Sequence, residues 1–204
     1  MNGHSGRTTS VWMKTGEIPV QPKLSENIKT DVCVVGAGIA GMSTAFLLAS
    51  EGKEVVVLDD GPIAGGETER TTAHLVSALD DRYFSLERFH GEKGSRLAAQ
   101  SHTEAITQIE RIVAAENIDC EFDRVDGYLF VPPGDSTEIL EKELAAVHRA
   151  GLTDVKRLNQ VPWTFFNTGP CLQFPKQGQF HPLKYDPRHD CRNSSHRFNS
   201  WPRK

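Results

Sequence analysis

The sequence has 204 residues, 38% of them hydrophobic and 25% charged, with a formal net charge of −4. That length holds one large domain or two small ones, at roughly 100–200 residues each, and the composition excludes a disordered or fibrous chain. The acidic balance argues against nucleic acid as the main partner, and no apolar run reaches membrane-spanning length.

Residues 1–29 are polar, carry Pro19 and Pro22, and read as an extended N-terminal arm. The first ten lack the apolar stretch of a secretory signal. Asp31–Val35 is a short β-branched run that predicts a buried parallel strand. Glycines follow at 36, 38 and 41, then a helical stretch through Met42, Ala45, Phe46, Leu48 and Ala49, stopped by Gly52. Val55–Leu58 predicts a second strand that ends in Asp59 and Asp60. Strand, glycine turn, helix and strand make a βαβ unit with parallel strands and a right-handed crossover.

Gly61–Thr72 is a glycine-rich loop. Residues 96–116 carry a helical stripe at 98, 105, 109, 112 and 113. Cys120–Arg124 and Tyr128–Val131 read as two strands of a hairpin around Asp126-Gly127. Asp135 with Glu138 predicts a capping box for a helix reaching Ala150. Further extended pieces are expected near Leu172–Phe174 and Gln179–His181. From residue 186 to 204 there is no Ala, Val, Ile, Leu, Met or Gly, and the segment carries +3, leaving −7 for residues 1–185. Such a segment cannot offset its ordering entropy, so 186–204 reads as a disordered tail. The abrupt change at residue 186 also fits a lost reading frame. Cys33, Cys120, Cys171 and Cys191 lie far apart with no C-x-x-C, which suits a reducing, cytoplasmic setting.

The run Gly36-Ala37-Gly38-Ile39-Ala40-Gly41 carries the chemistry. Gly36 permits the tight turn, Gly38 admits a pyrophosphate to the backbone, and Gly41 lets the helix approach the strand. The N–H groups at the helix start, around Ile39 and Ala40, point at the phosphates. Asp59, with Asp60 beside it, lies where a carboxylate accepts the hydroxyls of an adenosine ribose. FAD and NAD share this ADP half, and the turn alone does not separate them. The loop through Glu67-Thr-Glu-Arg-Thr-Thr-Ala-His74 favours FAD, because it sets hydroxyls and an arginine just past the ribose acid.

These segments, with Gly127-Tyr-Leu-Phe130 and Phe180-His-Pro-Leu-Lys-Tyr185, resemble FAD-dependent oxidoreductases of the glycine/D-amino-acid oxidase (DAO) family. The likeness is strongest to the branch that often carries a C-terminal Rieske iron–sulfur domain. The resemblance covers about residues 10–185. It implies an α/β fold of two interleaved domains: a Rossmann-like FAD/NAD(P)-binding βαβ unit with the first part of a mixed α+β substrate domain. It places FAD at Gly36, Gly38, Gly41, Asp59, Arg70, Thr71 and Thr72. His74 occupies the loop where some relatives attach flavin covalently, and a polar role is expected of it here. The expected spans are an arm at 1–29, the FAD (ADP)-binding unit at 30–80, a helical segment with a partial substrate-domain sheet at 81–185, and the tail.

Family members continue well beyond the equivalent of Pro182, and their substrate-binding residues lie largely in that later part. The chain is therefore expected to be truncated after about residue 185. No catalytic residue is assigned. No Cys-x-His…Cys-x-x-His pattern is present, so no Rieske cluster is expected, and His189, Cys191 and His196 fit no standard metal spacing. His90, His102 and His148 read as surface or interhelix groups, and Trp163, Phe165 and Phe166 as an aromatic plug. Three functions compete: an FAD-dependent oxidoreductase of the amine or amino-acid type, an incomplete and inert dinucleotide-binding fragment, and an NAD-dependent dehydrogenase. The expected substrate is a small amine or amino-acid-like molecule.

Overall fold

The computed structural model describes residues 8–17, 23–132, 134–185 and 197–200. They divide into two units. The first takes the residues up to Ala73, Arg111–Phe122 and those from Phe180 onward; the second takes His74–Glu110 and Asp123–Gln179. This division is interleaved, as the resemblance implied, and cuts across the contiguous spans 30–80 and 81–185 written from the sequence.

The first unit opens with a short helix, α1 (Val11–Thr15), where the sequence predicted an extended arm. Ser10 nucleates it by accepting the Met13 N–H, which satisfies one of the orphan donors of the first turn. Strand β1 (Val32–Val35), helix α2 (Ile39–Ser50) and strand β2 (Val55–Asp59) follow in the predicted order, but β1 is not the buried strand expected, since Cys33 and Val35 are exposed. β1 and β2 pair in parallel, Val32 opposite Val55 through Val35 opposite Leu58. Val55, Val56 and Val57 are all buried, each contributing about 1.5–3 kcal/mol by that burial. Met42 and Ala45 of α2 pack with Ala37, Val55, Val57 and Ile63 in one core.

Of the stretch expected as a disordered tail, residues 186–196 and 201–204 lie outside the described residues. Arg197–Ser200, however, forms a strand, β7, paired in parallel with β2. The edge of β2 offers a row of unpaired N–H and C=O groups, and backbone pairing satisfies them without aliphatic side chains.

The second unit is built on an antiparallel sheet whose long strand is β6 (Cys171–Gln179). Strand β4 (Asp123–Phe130) pairs along it, while β3 (His74–Leu75) and β5 (Lys156–Leu158) pair with its two ends. The predicted hairpin at Asp126-Gly127 does not form. The chain continues as one strand with a register shift between Val125 and Gly127, because β6 is long enough to pair on both sides of the irregularity. Helix α3 (Tyr83–Ala115) starts earlier than the stripe predicted and breaks at Gly91. Helix α4 (Glu138–Arg149) lacks the predicted capping box: its cap residue is Thr137, with no side-chain cap bond. Leu140, Ala146 and Val147 of α4 share a core with Tyr83, Leu172 and Phe174.

Candidate nucleotide site

The site forms where β1 ends. Gly36 has φ +103°, a left-handed conformation that turns the chain sharply into α2. A Cβ on Gly41 would stand 1.9 Å from the Gly36 carbonyl oxygen, so only glycine lets α2 approach the strand this closely. Gly38 is different. Its φ is −76°, and an added Cβ would meet only the Thr68 Oγ1, at 3.1 Å. Its lack of a side chain therefore leaves open the ground in front of the helix start.

Three segments converge there. The Ala37 N–H donates to Asp59 Oδ2 at 2.6 Å, and the Gly61 N–H donates to Asp59 Oδ1 at 2.8 Å. Each carboxylate oxygen keeps a second acceptor site. The Ala64 N–H donates to the Ala37 carbonyl at 2.8 Å, which ties the glycine-rich loop back to the turn. The Ile39 N–H donates to Thr68 Oγ1 at 3.1 Å. An oxygen acceptor thus already sits at the α2 N-terminus, where the free N–H groups and the helix dipole favour an anion.

The second loop makes a short 3-10 turn over Thr68–Arg70. Thr68 and Glu69 are buried, Thr71 and Thr72 exposed. Arg70 donates from Nη1 to the Thr8 carbonyl at 2.7 Å and lies 3.6 Å from Glu69. Its Nε is buried with no hydrogen-bond partner among the described residues. A cradle without a Cβ, a convergent carboxylate, an oxygen-accepting helix start and an unmet guanidinium donor fit the ADP half of a dinucleotide.

Of the residues predicted from the sequence, Gly36, Gly38, Ile39, Gly41 and Asp59 are brought together directly. Ala40 is exposed on the first turn of α2, and Asp60 is exposed just past β2. Arg70, Thr71 and Thr72 share the second loop, with the Thr71 carbonyl accepting from Trp12 Nε1 at 2.9 Å. Sequence reasoning missed Thr68, Ala64 and the α1 residues. The glycine spacing pointed near the first two, and nothing local pointed to the third.

Other candidates separate from this site. His74 is exposed in β3, paired with Gln179. His102 and His148 bond the Val76 and Val155 carbonyls. His189, Cys191 and His196 lie outside the described residues. Trp163, Phe165 and Phe166 do not plug the second unit: their rings cluster with one another and with Tyr128 and Phe130, yet they remain 38%, 74% and 45% exposed. A 530 Å³ hollow beside Arg82, Phe130, Ile139 and Glu143 belongs to the second unit. The Glu143 carboxylate is committed to the Tyr83 and Phe84 N–H groups, at 3.0 and 3.3 Å, and burial raises its pKa. No helix among the described residues is long and apolar enough to cross a membrane.

Residues 31–187 match the family model described as DAO, FAD dependent oxidoreductase. A Bacillus subtilis (strain 168) protein named for a Rieske 2Fe-2S cluster, YhfW, is 30% identical over 175 residues; the match covers 85% of this chain and 34% of that protein. Gamma-glutamylputrescine oxidoreductase of Escherichia coli (strain K12) is 31% identical over 166 residues, covering 78% of this chain and 38% of the enzyme. The chain thus spans little more than a third of these relatives' length. Among solved structures, L-amino acid deaminase from Proteus myxofaciens superposes with a TM-score of 0.68 at 14% identity, over 91% of this chain and 41% of that one.

Proposed function

Because the chain belongs to the FAD dependent oxidoreductase family, DAO, that residues 31–187 match, we propose that it is the nucleotide-gripping part of a flavoprotein that oxidises amines or amino acids. The observation carrying this reading is Asp59, held by the Ala37 and Gly61 N–H groups at the mouth of the glycine turn. That position lets its remaining lone pairs take the ribose hydroxyls while the α2 N-terminus takes the pyrophosphate. Asp60 adds negative charge that disfavours a 2′-phosphate. Arg70, Thr71 and Thr72, together on the second loop, would hold the rest of the cofactor. FAD, when bound, supplies the acceptor for a hydride from the C–H beside the amine. The chain's own residues bind and orient. The amine class rests on the name of the Escherichia coli relative. The free thiols of Cys33, Cys120 and Cys171 suit a cytoplasmic protein.

A second reading, an inert grip, has its own support. Val35 of β1 is 84% exposed, and Leu47 of the apolar helix α2 is 40% exposed. Faces of this kind are covered in a parallel sheet with helices on both sides. By itself the 204-residue chain is therefore expected to hold FAD weakly. Titration with FAD, followed by quenching of flavin fluorescence, tests the reading. Saturable quenching that Gly38→Val removes is expected, with little response to NADH. Equal quenching by both proteins, or tighter binding of NADH, would overturn it.

A further inference from the structure

The N-terminal segment lies before the matched family region and makes contacts that the glycine turn does not explain. Three consecutive loop residues are each bonded to it. Ser10 Oγ donates to the Glu69 carbonyl at 2.6 Å, Arg70 Nη1 donates to the Thr8 carbonyl at 2.7 Å, and Trp12 Nε1 donates to the Thr71 carbonyl at 2.9 Å. We propose that Ser10 and Trp12 are positioning residues, and that the segment from Thr8 to Gly16 is a strap fixing the second nucleotide loop. The proposal rests on the nucleotide reading above and adds residues to it.

A strap needs a fixed far end, and His181 supplies it. The Thr15 hydroxyl donates to the Val11 carbonyl at 2.8 Å, so its oxygen accepts from His181 Nε2 at 2.9 Å. The imidazole is then the Nε2–H tautomer, and its Nδ1 is a bare lone pair. That nitrogen is buried without a hydrogen-bond partner among the described residues, which disfavours adding a proton there. The Trp12 ring meets the imidazole edge-on, with centroids 4.9 Å apart. His181 is itself pinned, its N–H donating to the Cys120 carbonyl at 2.7 Å. A Cβ on Gly16 would stand 2.8 Å from the Leu183 Cβ and 3.1 Å from His181 Cε1, so the strap passes this anchor at backbone distance.

The consequence for the site runs through Thr68. Its hydroxyl accepts the Ile39 N–H at the start of α2, and it shares the 3-10 turn with Glu69 and Arg70. Fixing the carbonyls of Glu69 and Thr71 fixes that turn, and with it the distance between loop and helix start. The Thr8 carbonyl also fixes one Arg70 nitrogen, leaving the partnerless Nε held in place rather than mobile. A loop ordered before binding loses less entropy when the nucleotide arrives.

Trp12→Phe keeps the ring against His181 and removes only the N–H to Thr71. Ser10→Ala with Trp12→Phe removes both bonds that the segment's side chains donate to the loop and leaves the Arg70 bond to the Thr8 carbonyl. Hydrogen exchange in the nucleotide-free 204-residue chain is the first readout. The amides of Arg70 and Ala73, bonded within the loop to Glu67 and to Thr71, are expected to exchange about fivefold faster in Trp12→Phe and more in the double variant. The amides of Val56 and Val57 in β2 are expected to keep their rates. ADP affinity, the second readout, should weaken by about the same factor. Unchanged Arg70 and Ala73 exchange in Trp12→Phe would overturn the strap, as would equal acceleration in β2. If wild type binds no ADP, the nucleotide reading fails, and the exchange rates still decide the strap.

Discussion

Gly38 and Gly41 belong to one turn, yet the structure gives them opposite tolerances. At Gly41 a methyl group would collide with the Gly36 carbonyl oxygen, and α2 would have to leave the strand. Gly41→Ala is therefore expected to cost at least the upper end of the roughly 1–3 kcal/mol typical of overpacking, read as a lower urea midpoint. At Gly38 the backbone is ordinary, and the one neighbouring atom, the Thr68 hydroxyl that accepts the Ile39 N–H, need give by only a few tenths of an ångström. Gly38→Val should leave stability within about 1 kcal/mol of wild type while closing the ground where a pyrophosphate would lie. Equal stability losses in the two variants would contradict this division. His181 gives a pH prediction. Burial lowers its pKa, with Lys184 adding to the effect and Glu121 opposing it. The fold thus prefers the neutral imidazole. That contribution is complete above the ordinary histidine value of about 6.5 and is lost as pH falls through the lower folded value. Melting temperature should decline with acidification below about pH 6.5, and less steeply in His181→Gln; identical slopes would rule the group out. The glycine roles were legible in the sequence because steric demand at a turn is local. His181 and Trp12 were not, because their partners lie 59 to 166 residues away.

Among the elements, β1, α2 and β2 were legible, since an apolar run of four or five residues beside a glycine turn has few other solutions. The hairpin misreading at Gly127 shows the limit. Asp-Gly signals a turn, but pairing with β6 on both sides of that point overrides the local preference. The capping box failed for a related reason: the α4 start lies at Glu138, after Thr137, so Asp135 lies too far back to cap it. Glu143 carried no signal at all. It occupies a buried position on α4, and its carboxylate caps the first two N–H groups of α3, some 60 residues earlier. Glu143→Ala leaves the buried Tyr83 N–H and the partly buried Phe84 N–H unpaired and should cost about 1–3 kcal/mol, measured by urea unfolding. Glu143→Gln, which keeps one acceptor, should cost less. Wild-type stability in both variants would show that this cap is dispensable.

For the whole molecule, the interleaving of the two units was not written in any local pattern. It depends on Arg111–Phe122 and the segment from Phe180 joining the first unit. The strand of Arg197–Ser200 against β2 was invisible to composition, because backbone pairing needs no aliphatic residue. Exposed Val35 and Leu47 leave apolar surface on the first unit, and catalysis needs a site that orients its reactants and excludes water. The 204-residue chain is accordingly expected to show no amine-dependent bleaching of added FAD. Bleaching at a stoichiometric level would contradict that expectation. More narrowly, we propose that the turn at Gly36–Gly41 and the Asp59 carboxylate grip an ADP moiety. Calorimetric titration of the chain with ADP tests it most directly. Saturable one-to-one binding is expected, abolished by Gly38→Val without a change in the circular dichroism spectrum. No heat of binding with wild type, or equal binding by the folded variant, would contradict it.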